Sequence, residues 1–401
     1  MSHFKLALLL GMTVALGPLA LDAYLPAFPD IADGFGIPHS DVGLTLSAYV
    51  ATLGLAQLVG GPLSDRYGRR MILLGGLAIF AGAGVMVAQA ASLMEMSVWR
   101  VIQGVGGAFC AVSVPAIVRD QVSGQDAARL FGLIGLIMFI APAAAPTLGS
   151  FMLALGDWHW IFVVLAAYAV FLAMVLQLAL FPKLTPRPPV TTPVSTLVTN
   201  YVLVLRHTTT MRFIGIQVLC FSAMLLFITH SSFIYQEHFE LSSSTFSMLF
   251  AANIAFMATL NLINRPLLRR FSSVVLLRVQ VLLQCLALIG LVTVVALDGP
   301  LWAVAALIIT SIGFQGGIVP NNLANALDFF PHLGGTAAAL LGASQFTLAG
   351  VISALSSAFA GDSLLTIVAS MLACSAGAVL LALGAPKAVW REKAKLAEAD
   401  T

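Results

Sequence analysis

Gly61–Arg70 reads GPLSDRYGRR, and it is the stretch from which the fold can be counted. Asp65, Arg66, Arg69 and Arg70 place four charges within six residues, in a chain of 401 residues that is only 9% charged. The runs on either side, 42–60 and 71–94, carry no charge. A tight, basic, glycine-punctuated turn between two apolar runs long enough to cross a bilayer reads as a cytoplasmic hairpin loop by the positive-inside rule.

Composition agrees. The chain is 60% hydrophobic, with a mean hydropathy of +0.99, whereas a soluble domain is nearer half apolar and a quarter charged. Most apolar runs are about 20 residues, the length of a helix crossing a ~30 Å hydrocarbon core. The ~10-residue alternating strands of a membrane barrel are not seen. The sequence therefore predicts an all-α integral membrane protein with twelve transmembrane helices. They fall at 5–28, 42–63, 71–91, 94–117, 128–150, 158–181, 211–235, 243–264, 273–297, 301–326, 335–359 and 363–385. The first run, with Lys5 ahead of it, continues into Asp22 and Pro26 without a convincing cleavage site and reads as a retained span rather than a signal peptide.

One connection is long. It contains Pro182, Pro186, Pro188, Pro189 and Pro193 and cannot begin as a continuous helix. It divides the chain into an N-terminal six-helix bundle (1–182), a cytoplasmic linker (183–210), a C-terminal six-helix bundle (211–386) and a cytoplasmic tail (387–401). A short interfacial helix is expected within the linker at 197–205. With both termini in the cytoplasm, 18 of the 19 Lys and Arg fall on the cytoplasmic side, while the outer loops hold acids such as Asp30, Asp157 and Glu237.

The exception is Arg100, about two turns inside the fourth span. An arginine there costs at least ~2.5–3.5 kcal/mol on insertion scales, so it should face the bundle interior with a partner. The acid clearly inside a span is Asp22, in LALDAYLPAFP. At 1.5 Å per residue the two lie at similar depth, and a contact, direct or through water, is possible. Gly104, Gly106 and Gly107 after Arg100 allow close approach of a backbone or a substrate. Pro142 and Pro146 in the fifth span remove two ladder donors and bend that helix, and Gly149 permits tight packing.

The second half is sparser. Its counterpart of the opening stretch, NRPLLRRFS at 264–272, keeps the bases but has no acid. His230, Asn253, Asn261, Asn321, Asn325 and Gln345 are polar groups in spans. Each can be an interhelical hydrogen bond, and together they suggest a partly polar central cavity, to which Tyr24 and Gln103 are added as candidates. Glu237 and His238 read as a solvated helix end. The four cysteines lie in apolar runs and the seven histidines are scattered, so neither a metal site nor a membrane enzyme is indicated, and no cofactor is expected. A channel's charged rings or filter motif are missing too.

GPLSDRYGRR resembles the loop 2–3 signature of the major facilitator superfamily, G-x-L-x-D-R-x-G-R-[KR], matching at Gly61, Leu63, Asp65, Arg66, Gly68, Arg69 and Arg70. More narrowly, LDAYLPAFPDI, LSAYVATLGLAQLVGGPLSDRYGRR and FFPHLGGTAAALLGASQ resemble the bicyclomycin/chloramphenicol-resistance (Bcr/CflA) drug:proton antiporters along essentially the whole chain. The resemblance implies two six-helix bundles around a site that opens alternately to each side, and proton-driven multidrug export across the bacterial inner membrane. VWRVIQGVGG looks like the family's span-four motif, which links Arg100 to proton transfer. The span-five stretch with Pro142, Pro146 and Gly149 resembles the antiporter motif, with Ala141 where that motif has glycine. Asp22 is then the candidate proton carrier, its protonation set by desolvation against a nearby Arg⁺. Asp65, by the same resemblance, anchors a gating charge network reaching toward the start of span eleven. The expected partners are a small-molecule substrate, protons and the lipid bilayer, with no nucleic acid, and the working unit is a monomer. The alternative is a transporter of a metabolite, such as a nucleoside, sugar or amino acid, on the same fold.

Overall fold

The computed structural model describes residues 3–122, 124–184, 193–330, 333–360 and 363–384. The tail 387–401, much of the proline-rich segment, and Pro331 and His332 lie outside the described residues. Twelve helical segments are long and apolar enough to cross a membrane. In order they are Phe4–Phe35, His39–Tyr67, Arg69–Val87, Leu93–Gln121, Arg129–Leu155, His159–Lys183, Thr208–His238, Ser243–Leu267, Ser273–Ala296, Leu301–Leu327, Gly334–Phe359 and Leu364–Leu383. They are referred to below as spans one to twelve. Between spans six and seven a separate helix, Val194–Arg206, covers the stretch expected at 197–205 and exceeds it at both ends.

The helix ends follow local chemistry. Span four starts at an N-cap serine: the Glu95 backbone N–H donates to Ser92 Oγ at 3.2 Å, and the Glu95 carboxylate reaches back to the N–H of Ala91, the residue before the cap, at 3.0 Å. Spans two and three are separated by the single residue Gly68, whose φ of +90° is a conformation that a side chain would strain. That is why GPLSDRYGRR forms a one-residue corner rather than a loop.

Two spans differ from the uninterrupted helices that the sequence suggests. Span one runs helical from His3 to Asp22, passes through a 3-10 turn at Leu25–Ala27 and resumes at Phe28–Phe35. Pro26 has no N–H to give to the Asp22 carbonyl, and Pro29 none for Leu25, so the ladder fails there. Span ten is interrupted at Phe314. Pro320 leaves the Gly316 carbonyl without its ladder donor, and Asn261 Nδ2 from span eight takes it at 2.7 Å. Span five, by contrast, stays helical from Gly124 to Leu155 through both Pro142 and Pro146.

Contacts divide the chain into two compact units. The first comprises Met1–Thr192, Ile228–Ala251 and Ser353–Asp362, so it contains spans one to six with the end of span seven, the start of span eight and the end of span eleven. The second comprises Pro193–Phe227, Ala252–Ile352 and Ser363–Thr401. In the first, spans two, three and four pack by glycines. A Cβ on Gly104 would meet the Tyr49 carbonyl at 2.7 Å, and one on Gly106 would meet the Gly76 carbonyl at 2.6 Å. These glycines serve backbone approach. In the second, Gly316 approaches Met257 and Asn261 of span eight in the same way.

Candidate functional site

The first unit holds a buried cation and a buried carboxylate at the break in span one. Arg100 is fully buried and Asp22 is 5% exposed. Asp22 ends the first helical segment, whose last carbonyls have no intrahelical donor. Arg100 Nη2 donates to one of them, Ala20 O, at 3.0 Å, and Nη1 donates to Gln103 Oε1 at 2.7 Å. A cation at a helix C-terminus also meets the negative end of the helix dipole. The guanidinium carbon lies 4.3 Å from the ring centre of Tyr49, 4.7 Å from Tyr24 and 5.8 Å from Phe162. Three aromatic faces, one carbonyl and one amide oxygen thus hold the charge.

Asp22 and Arg100 form no ion pair, and Asp22 Oδ1 is a buried oxygen without a hydrogen-bond partner. Arg100 Nε and Gln103 Nε2 are also unpartnered. Tyr24 is buried beside them, its hydroxyl 3.1 Å from Thr45 Oγ1. Thr45 gives its own proton to the Val42 carbonyl, so Tyr24 is the donor of that pair. Asp22, Tyr24, Arg100 and Gln103, four of the candidates, are therefore buried together at the break in span one, with unmatched polar atoms. Span five closes the break from behind: a Cβ on Gly149 would collide with the Ala23 carbonyl, the residue after Asp22. Glycine at 149 is what lets the span that carries Pro142 and Pro146 lie against the broken span.

The opening stretch forms an ionic staple. Arg69 pairs with Asp65 one turn earlier and, through Nε at 2.8 Å, with Asp120 near the end of span four; Nη1 also donates to Ser64 Oγ at 3.2 Å. The Asp120 side chain is 5% exposed against 46% for Asp65, so Asp120 is the interior partner. Sequence reading passed over it, although an acid beside Arg119 at a basic helix end was the available signal. Arg70 Nε donates to Gln177 Oε1 at 3.0 Å, and Arg66 lies over the Tyr67 ring at 5.6 Å. Gly61 meets nothing that a Cβ would touch.

The second unit repeats this arrangement without charge. Ser273, like Arg69 the first residue of its helix, donates to Asn325 Oδ1 at 2.8 Å. Asn321, Asn264 and Gln280 close a ring of amides at 2.9–3.1 Å. Gln345 accepts from Gln217 at 2.9 Å, and Gln217 accepts from Asn322 at 3.2 Å. Asn253 is buried in span eight. Asn261, Asn321, Asn325 and Gln345 are thus engaged in bonds between spans.

His230 belongs to a different set, at the His39 end of the first unit. Its Nε2 is 3.3 Å from Ser356 Oγ. Beside it the Ser353 hydroxyl is 2.9 Å from Ser47 Oγ and 2.7 Å from Thr229 Oγ1, which ties spans two, seven and eleven. Ser150 Oγ lies 2.9 Å from Ser247 Oγ, joining spans five and eight, and Gln236 Nε2 donates to the Pro26 carbonyl at 3.3 Å. Glu237, expected at a solvated helix end, is exposed there and also lies 2.7 Å from His39 Nδ1, off the hydrogen-bond direction but within ion-pair range, with Asp33 3.6 Å from the other ring nitrogen. These hydroxyl contacts carried no signal in the sequence, because a serine in a membrane helix commonly bonds its own backbone.

Among the described residues no group of His, Cys, Asp and Glu is arranged to hold a metal. The four cysteines are free thiols.

Residues 10–354 match the family profile described as Major Facilitator Superfamily. A bicyclomycin resistance protein homolog of Haemophilus influenzae is 26% identical over 94% of this chain and 95% of its own length. A chloramphenicol resistance protein of Pseudomonas aeruginosa is 29% identical over 86% of this chain and 81% of its own. Among solved structures, a D-xylose-proton symporter superposes with a TM-score of 0.75 over 96% of this chain and 98% of its own, at 14% identity, a likeness of fold.

Proposed function

We propose, from the premise that this chain belongs to the Major Facilitator Superfamily, that it exports small amphipathic drugs across the bacterial inner membrane in exchange for protons. Membership makes it a multi-pass membrane transporter. The drug class rests on relatives named a bicyclomycin resistance protein homolog and a chloramphenicol resistance protein. The bacterial relatives support the inner membrane, and the basic loops support cytoplasmic termini.

The observation that carries the proton is Asp22. A buried carboxylate oxygen without a donor, at a break in a span, is in the state that binding a proton relieves. Arg100 supplies fixed positive charge at the Ala20 carbonyl, two residues before Asp22, without an ion pair to it. Substrate arriving at the break, or a rearrangement of span one, changes the separation of these charges and with it the affinity for the proton. The hydroxyl and His39–Glu237 contacts are individually weak and reversible, which suits a gate that must open once per cycle. Opening there loads the proton, and opening at the Asp65 end releases it. The Arg69 staple holds spans two, three and four together meanwhile, and the monomer is the working unit.

One proton moving through about 100 mV releases about 2.3 kcal/mol. At about 1.4 kcal/mol per decade, that sustains a gradient of roughly 50-fold for a neutral substrate exchanged one for one. No chemistry on the drug is required.

The test is transport in proteoliposomes with an imposed pH gradient, using chloramphenicol and bicyclomycin, with nucleosides, sugars and amino acids in counterflow. Gradient-driven movement of either drug is the expected result. Counterflow of a metabolite with no drug movement would replace the drug reading with the metabolite one.

A further inference from the structure

In the second unit the starts of spans seven and nine and the end of span twelve line a shallow open groove. Arg212 and Arg278 both line it, with Phe213, Ile216, Leu277 and Leu381 as apolar wall. Arg278 is the sixth residue of its helix, so it lies about 8 Å in from the helix start. It is partly buried, and its Nε is fixed by a 3.0 Å bond to the Ala382 carbonyl. That bond fixes Nε of the fork on the groove wall. Arg212 is exposed.

Two guanidinium ions on one membrane groove call for counter-charge. Among the described residues no ion pair reaches either of them. Asp328 lies at the same end, next to Phe329, which stacks on Phe213, and forms no ion pair with either arginine. Spans nine and twelve contain no acid, and the acid of span seven is Glu237, 25 residues beyond Arg212 and therefore about 37 Å away along the helix. An anion from outside the chain would supply the counter-charge that no ion pair among the described residues gives.

The surroundings of the groove select its source. Leu380 is 74% exposed, and Val275 and Val279 on span nine are also exposed. An apolar helical face of this kind is open to lipid. From Arg212 the wall continues one turn deeper at Ile216, where an acyl chain would follow its headgroup. We propose that this groove binds one anionic glycerophospholipid, its phosphate held between Arg212 and Arg278 and an acyl chain lying on Phe213, Ile216 and Leu381. Arginine forks match phosphate oxygens in pairs, and basic pockets between membrane helices suit such headgroups. This site is independent of what is transported and is not part of the Asp22 cluster.

The experiment is native mass spectrometry of the purified full chain, titrated with phosphatidylglycerol and, in parallel, with phosphatidylcholine. The wild type should retain one phosphatidylglycerol with affinity at least about tenfold above phosphatidylcholine, and R212Q/R278Q should lose that preference. R270Q, which removes an arginine outside the groove, should keep it. If the double variant does not fold, R212Q alone carries the test and should weaken retention at least about threefold, since Arg212 makes no internal bond. Equal retention by wild type and variant overturns the proposal. So does displacement of the lipid by millimolar inorganic phosphate, which would make the groove a soluble-anion site.

Discussion

Arg100 donates to the Ala20 carbonyl at 3.0 Å and leaves the Asp22 carboxylate, two residues further along the same span, without an ion pair. The cation is held by fixed groups, a carbonyl, an amide oxygen and three rings, that do not change with protonation. The anion has no such hold. Of the two, Asp22 is the one whose charge can be turned over at low cost to the surrounding packing.

Asp22→Asn keeps the shape and removes the titrating group. Drug accumulation should fall from roughly 50-fold, at a proton driving force equivalent to about 100 mV, to none, while downhill exchange persists. Arg100→Lys should also abolish it, because an ammonium cannot reach Ala20 and Gln103 together in the planar geometry of the fork. Full gradient-driven transport by Asp22→Asn would remove Asp22 as the carrier.

Gly43 tests the hydroxyl gate. A Cβ there would meet Thr229 Cγ2 at 2.5 Å and Ser357 Oγ at 3.0 Å, so Gly43→Val should keep spans two and seven from closing. A cysteine introduced at Ser353 should then label at least about tenfold faster with a membrane-impermeant maleimide from the His39 side, and transport should slow. Labelling as slow as in the Gly43 parent would mean that closure there is not needed.

The two acids of the Arg69 staple should differ in weight. Asp120→Asn leaves a partly buried guanidinium short of its interior partner, at a cost of about 1.5–3 kcal/mol. Asp65→Asn removes a half-exposed partner and should cost less than about 1 kcal/mol. Melting temperatures in detergent should order wild type above Asp65→Asn above Asp120→Asn. The reverse order would place the staple's strength at its exposed end. Asp65→Asn should also slow turnover if the stretch gates the Asp65 end.

Asp157, between spans five and six, accepts the His159 backbone N–H at 2.8 Å and faces the His159 ring. These bonds hold its carboxyl below the usual carboxylate range. A depressed folded pKa gives stabilisation that is present above the unfolded value near 3.9 and lost as pH falls through the folded one. Hydrogen exchange at the His159 amide should therefore stay protected at about pH 4 and speed up only in stronger acid, and Asp157→Ala should remove the protection at every pH. Protection lost already at about pH 5 would contradict the cap.

The sequence by itself determined the twelve spans, because membrane crossing is a property of local composition: a run of some 20 apolar residues must bury its backbone polarity in a helix whatever its neighbours do. It also singled out Asp22 and Arg100, since a charge inside an apolar run is conspicuous without any structure. The breaks in spans one and ten lie near Pro26 and Pro320, but a proline alone did not decide them, since span five stays helical through Pro142 and Pro146. Their consequences, an arginine on the Ala20 carbonyl and an asparagine on the Gly316 carbonyl, needed the fold.

What only the tertiary structure decided is who partners whom. Arg69 could have been satisfied by its own turn, yet its buried bond goes to Asp120, 51 residues away. The amides of Asn321 and Asn325 looked like cavity lining and are engaged in bonds between and within the spans, while Ser47, Thr229 and Ser353, ordinary in sequence, meet at one point. In a bilayer the polar side chains of different spans have no water to fall back on, so each takes the partner that helix packing brings within about 3 Å, and helix packing is set by glycine approach and proline breaks acting across the whole bundle.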